Sequence, residues 1–252
     1  LELDPLDSLG LAGGGDFEPV ETALCQALVQ PGAHCLDVGA NIGYYTLLFC
    51  QLAGDTGFVT AVEPNPNNYA ILARNCAQQV QAGRVRLVQA VLGQATANAK
   101  LYRSKDNTGM HRLYPSVCCT ADWDAVDVET GDALHLAPLD FVKMDIEGYE
   151  PAALAGLDGT LRRSPQVRII AEFSPLSMME AGFQPTACIR RMASLGLQPW
   201  GHTPQGWRAL DIETLSQQVS AAEGIDMSAL TAPLEHQSNV AIVDTAVRAL
   251  AQ

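Results

Sequence analysis

The chain has 252 residues, of which 48% are hydrophobic and 17% charged, and its net charge is −13. That length and composition suit one large α/β domain with a substantial core. No apolar run approaches the roughly 18 residues needed to cross a membrane, and a field this negative repels a duplex or a tRNA. The densest basic clusters, Arg162-Arg163 with Arg168 and Arg190-Arg191, are not interleaved with aromatics, so nucleic acid is not expected as a substrate.

Residues 1–17 carry no basic stretch ahead of an apolar one, which argues against a secretory signal, and the chain does not begin with Met. This segment reads as an N-terminal extension (a lid, a dimer arm or a disordered tail) ahead of a single domain over 18–252. The seven cysteines, Cys25, Cys35, Cys50, Cys76, Cys118, Cys119 and Cys188, include no Cys-x-x-Cys pair. They read as reduced, mostly buried thiols of a cytoplasmic protein, and no Cys/His spacing suits a structural zinc.

From residue 18 onward, helical and strand patterns alternate. Residues 18–29 place Val20, Leu24, Ala27 and Leu28 on one helical face, and Pro31-Gly32 ends that helix. Residues 34–38 form a short apolar strand that stops at a glycine-rich turn, and 44–52 continue as an apolar helix. A second strand is expected over 58–62, then a helix over 67–81 with Asn67 as its cap, then a third strand over 85–90. Strands over 139–144 and 167–171 flank a helix over 151–161. A helix over 186–195 precedes a sixth strand at 197–202, and 240–243 is the last. Residues 95–132 break the rhythm and are expected as an antiparallel flap or a loop over the site. Residues 211–235 make a second insertion on the substrate side. Strands alternating with helices imply right-handed crossovers and a mainly parallel sheet covered on both faces.

Three strand ends carry the chemistry. The turn Gly39-Ala40-Asn41-Ile42-Gly43 lets backbone approach a ligand closely and opens a helix whose first N–H groups are unpaired. Glu63 ends the next strand, where a doubly wound sheet places a ribose-binding carboxylate. Asp37 directly precedes the turn; a carboxylate there repels a pyrophosphate but suits a sulfonium and its ammonium group. That pattern favours S-adenosylmethionine over a dinucleotide. Asp145 reaches the same edge from the fourth strand, alternating with Lys143 and Glu147, and Glu172 reaches it from the fifth. Asp145, Glu147 and Glu172 offer oxygen ligands for a divalent cation, although no metal is favoured, or they include a general base.

Residues 37–46 (Asp-Val-Gly-Ala-Asn-Ile-Gly-Tyr-Tyr-Thr), Val62-Glu63-Pro64-Asn65-Pro66, Phe141 to Glu150 and Ile170-Ala171-Glu172-Phe173 resemble the FkbM-type methyltransferase family. The Lys-x-Asp-x-Glu-Gly run at 143–148 is the most specific part. The resemblance implies a Rossmann-like class I methyltransferase fold: seven mainly parallel strands, the last antiparallel, with helices on both faces. It also implies methyl transfer from S-adenosylmethionine, usually to a hydroxyl of a natural product or sugar. By position, Asp37, Gly39, Ala40, Asn41 and Tyr44 would line the methionine part, Glu63 would take the ribose, and Pro64 and Ala90 would flank the adenine; Gly43 and Asp145 are also expected to bind the cofactor. Residues 107–111 resemble the family's Asn-x-Gly stretch.

An alcohol acceptor must lose its proton as the new bond forms. Asp145 is the expected base, with His111 and Glu172 as further catalytic candidates; His202 is also expected near the pocket. The expected partner is a small-molecule acceptor, with no nucleic acid and no membrane, and a homodimer is left open. Two other readings compete: a carboxyl or N-methyltransferase acting on a carrier- or peptide-bound acceptor, and a non-catalytic cofactor-binding module of a larger assembly.

Overall fold

The computed structural model describes residues 1–14, 17–203, 206–213 and 216. Helix α1 (Pro19–Leu28) begins with proline at its first turn and runs into β1 (His34–Val38). Helix α2 (Tyr44–Ala53) and strand β2 (Phe58–Val62) follow. Helix α3 (Pro66–Asn75) is capped by Asn65, not Asn67: the Asn65 side chain accepts from the backbone N–H groups of Asn67 and Asn68. Pro66 forces the residue before it into extended backbone, and that is the geometry of an N-cap. The helix expected over 67–81 bends at Cys76, so α4 (Ala77–Gln81) is a separate short segment.

Strand β3 (Val85–Val88) ends sooner than expected, and β4 (Val91–Leu92) turns away to join a second sheet. The break in rhythm over 95–132 is an antiparallel hairpin of β5 (Ala97–Ser104) and β6 (Cys119–Glu129). Strand β7 (Phe141–Met144), helices α5 (Glu150–Gly156) and α6 (Asp158–Arg162), and strand β8 (Arg168–Ala171) then complete the central sheet.

That sheet is parallel, with strand order β3-β2-β1-β7-β8. Successive strand residues face opposite sides, so the core divides in two. Leu36, Val38, Val142, Met144 and Ile169 pack with Leu154, Leu157 and Ile189 on one face. Cys35, Phe141 and Ile170 pack with Phe49, Tyr45 and Leu72 on the other. Register pairs Asp37 with Lys143, which puts two charged side chains side by side on the second, otherwise apolar face.

Helices α7 (Pro175–Glu180) and α8 (Pro185–Ser194) precede β9 (Trp200–Thr203). The sixth strand expected at 197–202 does not extend the central sheet. β9 pairs antiparallel with β10 (Gly206–Ala209) in a separate two-stranded sheet, a local closure with little loop entropy to overcome. The central sheet therefore has five strands among the described residues. The strand expected at 240–243, and most of the 211–235 insertion, lie outside them.

Candidate active site

β1 and β7 are neighbours from which the sheet order runs outward in opposite senses, and ligands bind at such a switch point in open α/β sheets. A cavity of about 400 Å³ opens at the carboxyl ends of these strands, within the usual range for a small-molecule site. Gly39 lies at its floor with φ +83°, and a Cβ there would overlap the Asp145 carbonyl oxygen. Gly39 and Ala40 both donate to the Val62 carbonyl at 3.0 Å, so the turn is pressed onto the sheet edge. Asn41 donates its backbone N–H to Glu63 Oε2 at 2.9 Å. Its own side-chain Oδ1 is buried without a partner among the described residues while the residue lines the cavity. An orphaned acceptor in a ligand cavity fits a donor supplied by the ligand.

Glu63 is 5% exposed. Its second oxygen accepts from Asn65 N at 2.8 Å. Burial pushes its carboxyl up to about 7 against the pull of the two backbone donors. Tyr44, Pro64 and Ala90 also line the cavity. Asp37 and Gly43 do not. Asp37 is 1% exposed and lies behind the turn, accepting from Thr46 Oγ1 at 2.6 Å. Burial raises its carboxyl to about 6 despite the nearby Lys143. Gly43 is the N-cap of α2 and packs against the Leu72 side chain on α3.

Lys143 was not among the expected site residues, yet it connects them. It is 4% exposed and lines the cavity. Its Nζ donates to Asp145 Oδ2 at 3.0 Å and sits 4.3 Å from the centre of the Tyr45 ring; the Tyr45 hydroxyl in turn donates to Glu18 Oε2 at 2.7 Å. Burial opposes its charge, but Asp145, Glu18 and Asp37 together outweigh that and hold the ammonium above the ordinary lysine range. The alternation of Lys143 with Asp145 was the available signal; its position opposite Asp37 depended on strand register.

Asp145, Glu147 and Glu172 come together as expected, with one carboxylate oxygen of each within 4.8 Å of the others. Lys143 pairs with Asp145, and Arg112 pairs with Glu147 at 3.1 Å and with Glu180 at 2.8 Å. Glu147 has φ +55°, and Tyr114 Oη donates to its carbonyl at 2.8 Å. Burial, then Asp145, raises the Glu147 carboxyl to about 7 against Arg112. Glu172 is exposed at the cavity. The protein atoms around it, then Asp145, Glu147 and Glu150, raise its carboxyl above the ordinary range. Glu150, 2% exposed, accepts from Ile146 N at 3.1 Å and braces the turn between them; burial raises it to about 8.

His111 lines the cavity, but its Nδ1 accepts from Ser104 N at 3.0 Å, and burial lowers its pKa. A neutral imidazole in that bond carries its proton on Nε2, so His111 presents a donor rather than a base. Asn107, Thr108, Gly109 and Met110 line the wall beside it. His202 lies on β9, with its side chain outside the described residues. The N-terminal segment also supplies wall through Ser8 and Leu9. Thr108 donates its backbone N–H and its hydroxyl to Ser8 Oγ, each at 2.9 Å. Asp4, 4% exposed, accepts from Leu6 N and Ser8 N. The Asp-x-x-x-Ser spacing at 4–8 was the sequence signal for this ordered turn.

Asp37, Glu63 and Glu150 ionise at higher pH in the fold than at the ordinary 3.8 for Asp and 4.5 for Glu. Their stabilising contribution is complete below those ordinary values and is lost as pH rises through about 6, 7 and 8. The ligand-free protein is therefore expected to melt at a higher temperature at pH 5 than at pH 8.5. A melting temperature that climbs over this interval would show that the three carboxyls are not held neutral by burial.

These features define a Rossmann-like α/β domain with a cavity at its switch point. A model of the methyltransferase FkbM domain matches residues 37–197, well over half of the chain, and the chain belongs to this methyltransferase family. No curated protein sequence matches the chain. Among solved structures, it is similar to methyltransferase FkbM from Methylobacillus flagellatus KT, at 16% identity and TM-score 0.48, over 75% of this chain and 49% of that one. The chain thus spans about half the length of that structure. It is also similar to a SAM-dependent O-methyltransferase from Thermotoga maritima, at 11% identity and TM-score 0.43, over 82% and 65%. A precorrin-6y C5,15-methyltransferase from Geobacter metallireducens GS-15 matches at 15% identity and TM-score 0.43, over 75% and 80%. Among the described residues no helix is long and apolar enough to cross a membrane.

Proposed function

We propose that the protein transfers a methyl group from S-adenosylmethionine to a hydroxyl of a small natural product or sugar. The observation that carries this is the meeting of Asp145 with the Gly39 turn: its carbonyl abuts the turn, and its carboxylate faces the cavity with its side chain 32% exposed. Glu63 and the Asn41 Oδ1 acceptor would hold the nucleoside and amino-acid polar groups, and Pro64 and Ala90 the base. The cofactor supplies an already activated methyl, so the protein's main task is to align the acceptor with it and exclude water.

In this reading Asp145 accepts the acceptor's hydroxyl proton as the carbon–oxygen bond forms, and Lys143 keeps that carboxylate fixed. His111 donates from Nε2 and positions the acceptor. Glu172 is the second acidic group in reach. The reaction so described needs no metal, although Asp145, Glu147 and Glu172 are the residues that would hold one.

A second reading, N-methylation of an amine, is favoured by the acidic wall formed by Glu18, Glu21, Glu147 and Glu172, which suits a cationic or neutral acceptor better than an anionic one. Both are tested with methyl-labelled S-adenosylmethionine and a panel of sugars, phenols, amines and carboxylic acids. The label is expected on oxygen, to survive exhaustive chelation, and to fall by at least about 100-fold for Asp145→Asn, the usual scale for a positioned base, with cofactor affinity unchanged. Label on nitrogen would select the second reading, and undiminished turnover in Asp145→Asn would remove Asp145 as the base.

A further inference from the structure

Cys118 and Cys119 stand apart from the other thiols. Cys118 is the one cysteine of the seven that is not buried. Consecutive residues in an extended strand aim to opposite sides, yet these two sulfurs lie 3.8 Å apart. The chain turns through Val117 and Cys118 before β6 starts at Cys119. That turn is fixed by Lys105 N donating to Cys118 O and Cys119 N donating to Ser116 O, each at 3.0 Å. The Arg112 guanidinium is within electrostatic reach of the Cys118 sulfur. Burial, then Cys118, pushes the Cys119 thiol up to about 11.

We propose that Cys118 and Cys119 form a two-thiol modification site that closes to a vicinal disulfide by exchange with a small-molecule disulfide. The Cys118 thiolate attacks one sulfur of the reagent, forms a mixed disulfide and releases one small thiol. Cys119 then gives up its proton and attacks the Cys118 sulfur, releasing the second. Two protein thiols are oxidised and one small disulfide is reduced to two thiols.

Closure must shorten the 3.8 Å gap to about 2.05 Å across residues whose Cα atoms are only about 3.8 Å apart, less than the roughly 4.4–6.8 Å of ordinary disulfides. The bond is therefore strained and easily reduced, which suits reversible rather than structural use. The site lies behind the acidic wall of the cavity: Ser116 Oγ, beside the dithiol, accepts from Arg112 Nη1 at 3.2 Å and donates to Glu180 at 3.2 Å, and Arg112 is the residue that grips Glu147. This inference does not depend on the identity of the methyl acceptor.

The test is incubation of the full chain with oxidised glutathione, an acid quench, and intact-mass and peptide mapping. The peptide holding Cys118 and Cys119 is expected to lose two hydrogens, to carry no glutathione, and to recover fully with dithiothreitol. Cys119→Ser is expected to stop with one glutathione on Cys118, and Cys118→Ser to remain unmodified. Accumulation of glutathione on Cys118 in the unsubstituted chain, or no reaction there when the unfolded chain reacts, would overturn the proposal.

Discussion

Replacing Lys143 with methionine is expected to destabilise the protein by about 3–5 kcal/mol at pH 8, the usual cost of removing one partner from a buried ion pair. The volume is nearly conserved, so the loss is electrostatic. Asp37 is 1% exposed and, among the described residues, has Thr46 as its one side-chain donor; without the ammonium its charge has no counterpart among the described residues on that sheet face. Glu18 and Asp145 lose the same cation. Asp37 and Glu18, whose carboxyls burial already raises, can relieve the strain by taking up protons, so the loss is expected to be smaller at pH 5 than at pH 8. Denaturant melts of both proteins at the two pH values measure this. An equal loss at both pH values would mean that packing, not charge, is what Lys143 provides.

Gly39→Ala is expected to have the second large effect. The φ of +83° alone costs a residue with a Cβ about 1–3 kcal/mol. The overlap with the Asp145 carbonyl oxygen adds to that and forces β1 and β7 apart where the cavity floor lies. Affinity for S-adenosylhomocysteine is expected to fall by at least about 100-fold, about 2.8 kcal/mol, because the displaced turn carries Asn41 and forms the cavity floor. Gly83→Ala is the control: its φ is +70° with nothing within 4 Å, so it should show the backbone cost without the loss of affinity. Equal behaviour of the two variants would remove the close approach of Gly39 to Asp145 as the reason for a glycine there.

Much of the fold was legible because it rests on local pattern. The strands around Leu36, Ala61 and Val142 are short, apolar and bounded by turn residues, and the helix starts at Pro19 and Pro66 carry their own punctuation. Misreadings arose where a longer-range choice decided. Leu197 to His202 has strand character, but which partner it takes depends on β10 rather than on its own residues. Residues 85–90 read as one strand, but after Val88 the chain leaves the central sheet and pairs Val91 with Val128 instead.

The site divides in the same way. Gly39, Asn41, Glu63 and Asp145 were legible because each lies just past the end of a strand at one edge of the sheet. Asp37 was legible as a charge but not as a buried one, since only register sets it beside Lys143 and away from the cavity. His111 was legible as an imidazole near the pocket; the Ser104 N–H that occupies its Nδ1 comes from the β5–β6 hairpin and has no sequence signature. The wall supplied by Ser8 and Leu9 comes from a segment with no hydrophobic periodicity, held by aspartate-centred turns.

The central claim is that the cavity at Gly39, Glu63 and Asp145 holds the methyl donor. Titration calorimetry of the full chain with S-adenosylhomocysteine, and separately with NAD, tests it most directly. Saturable binding of one S-adenosylhomocysteine per chain, lost in Glu63→Ala, with no heat from NAD, is the predicted result. No binding of S-adenosylhomocysteine by the folded protein, or binding that persists unchanged in Glu63→Ala, would contradict it.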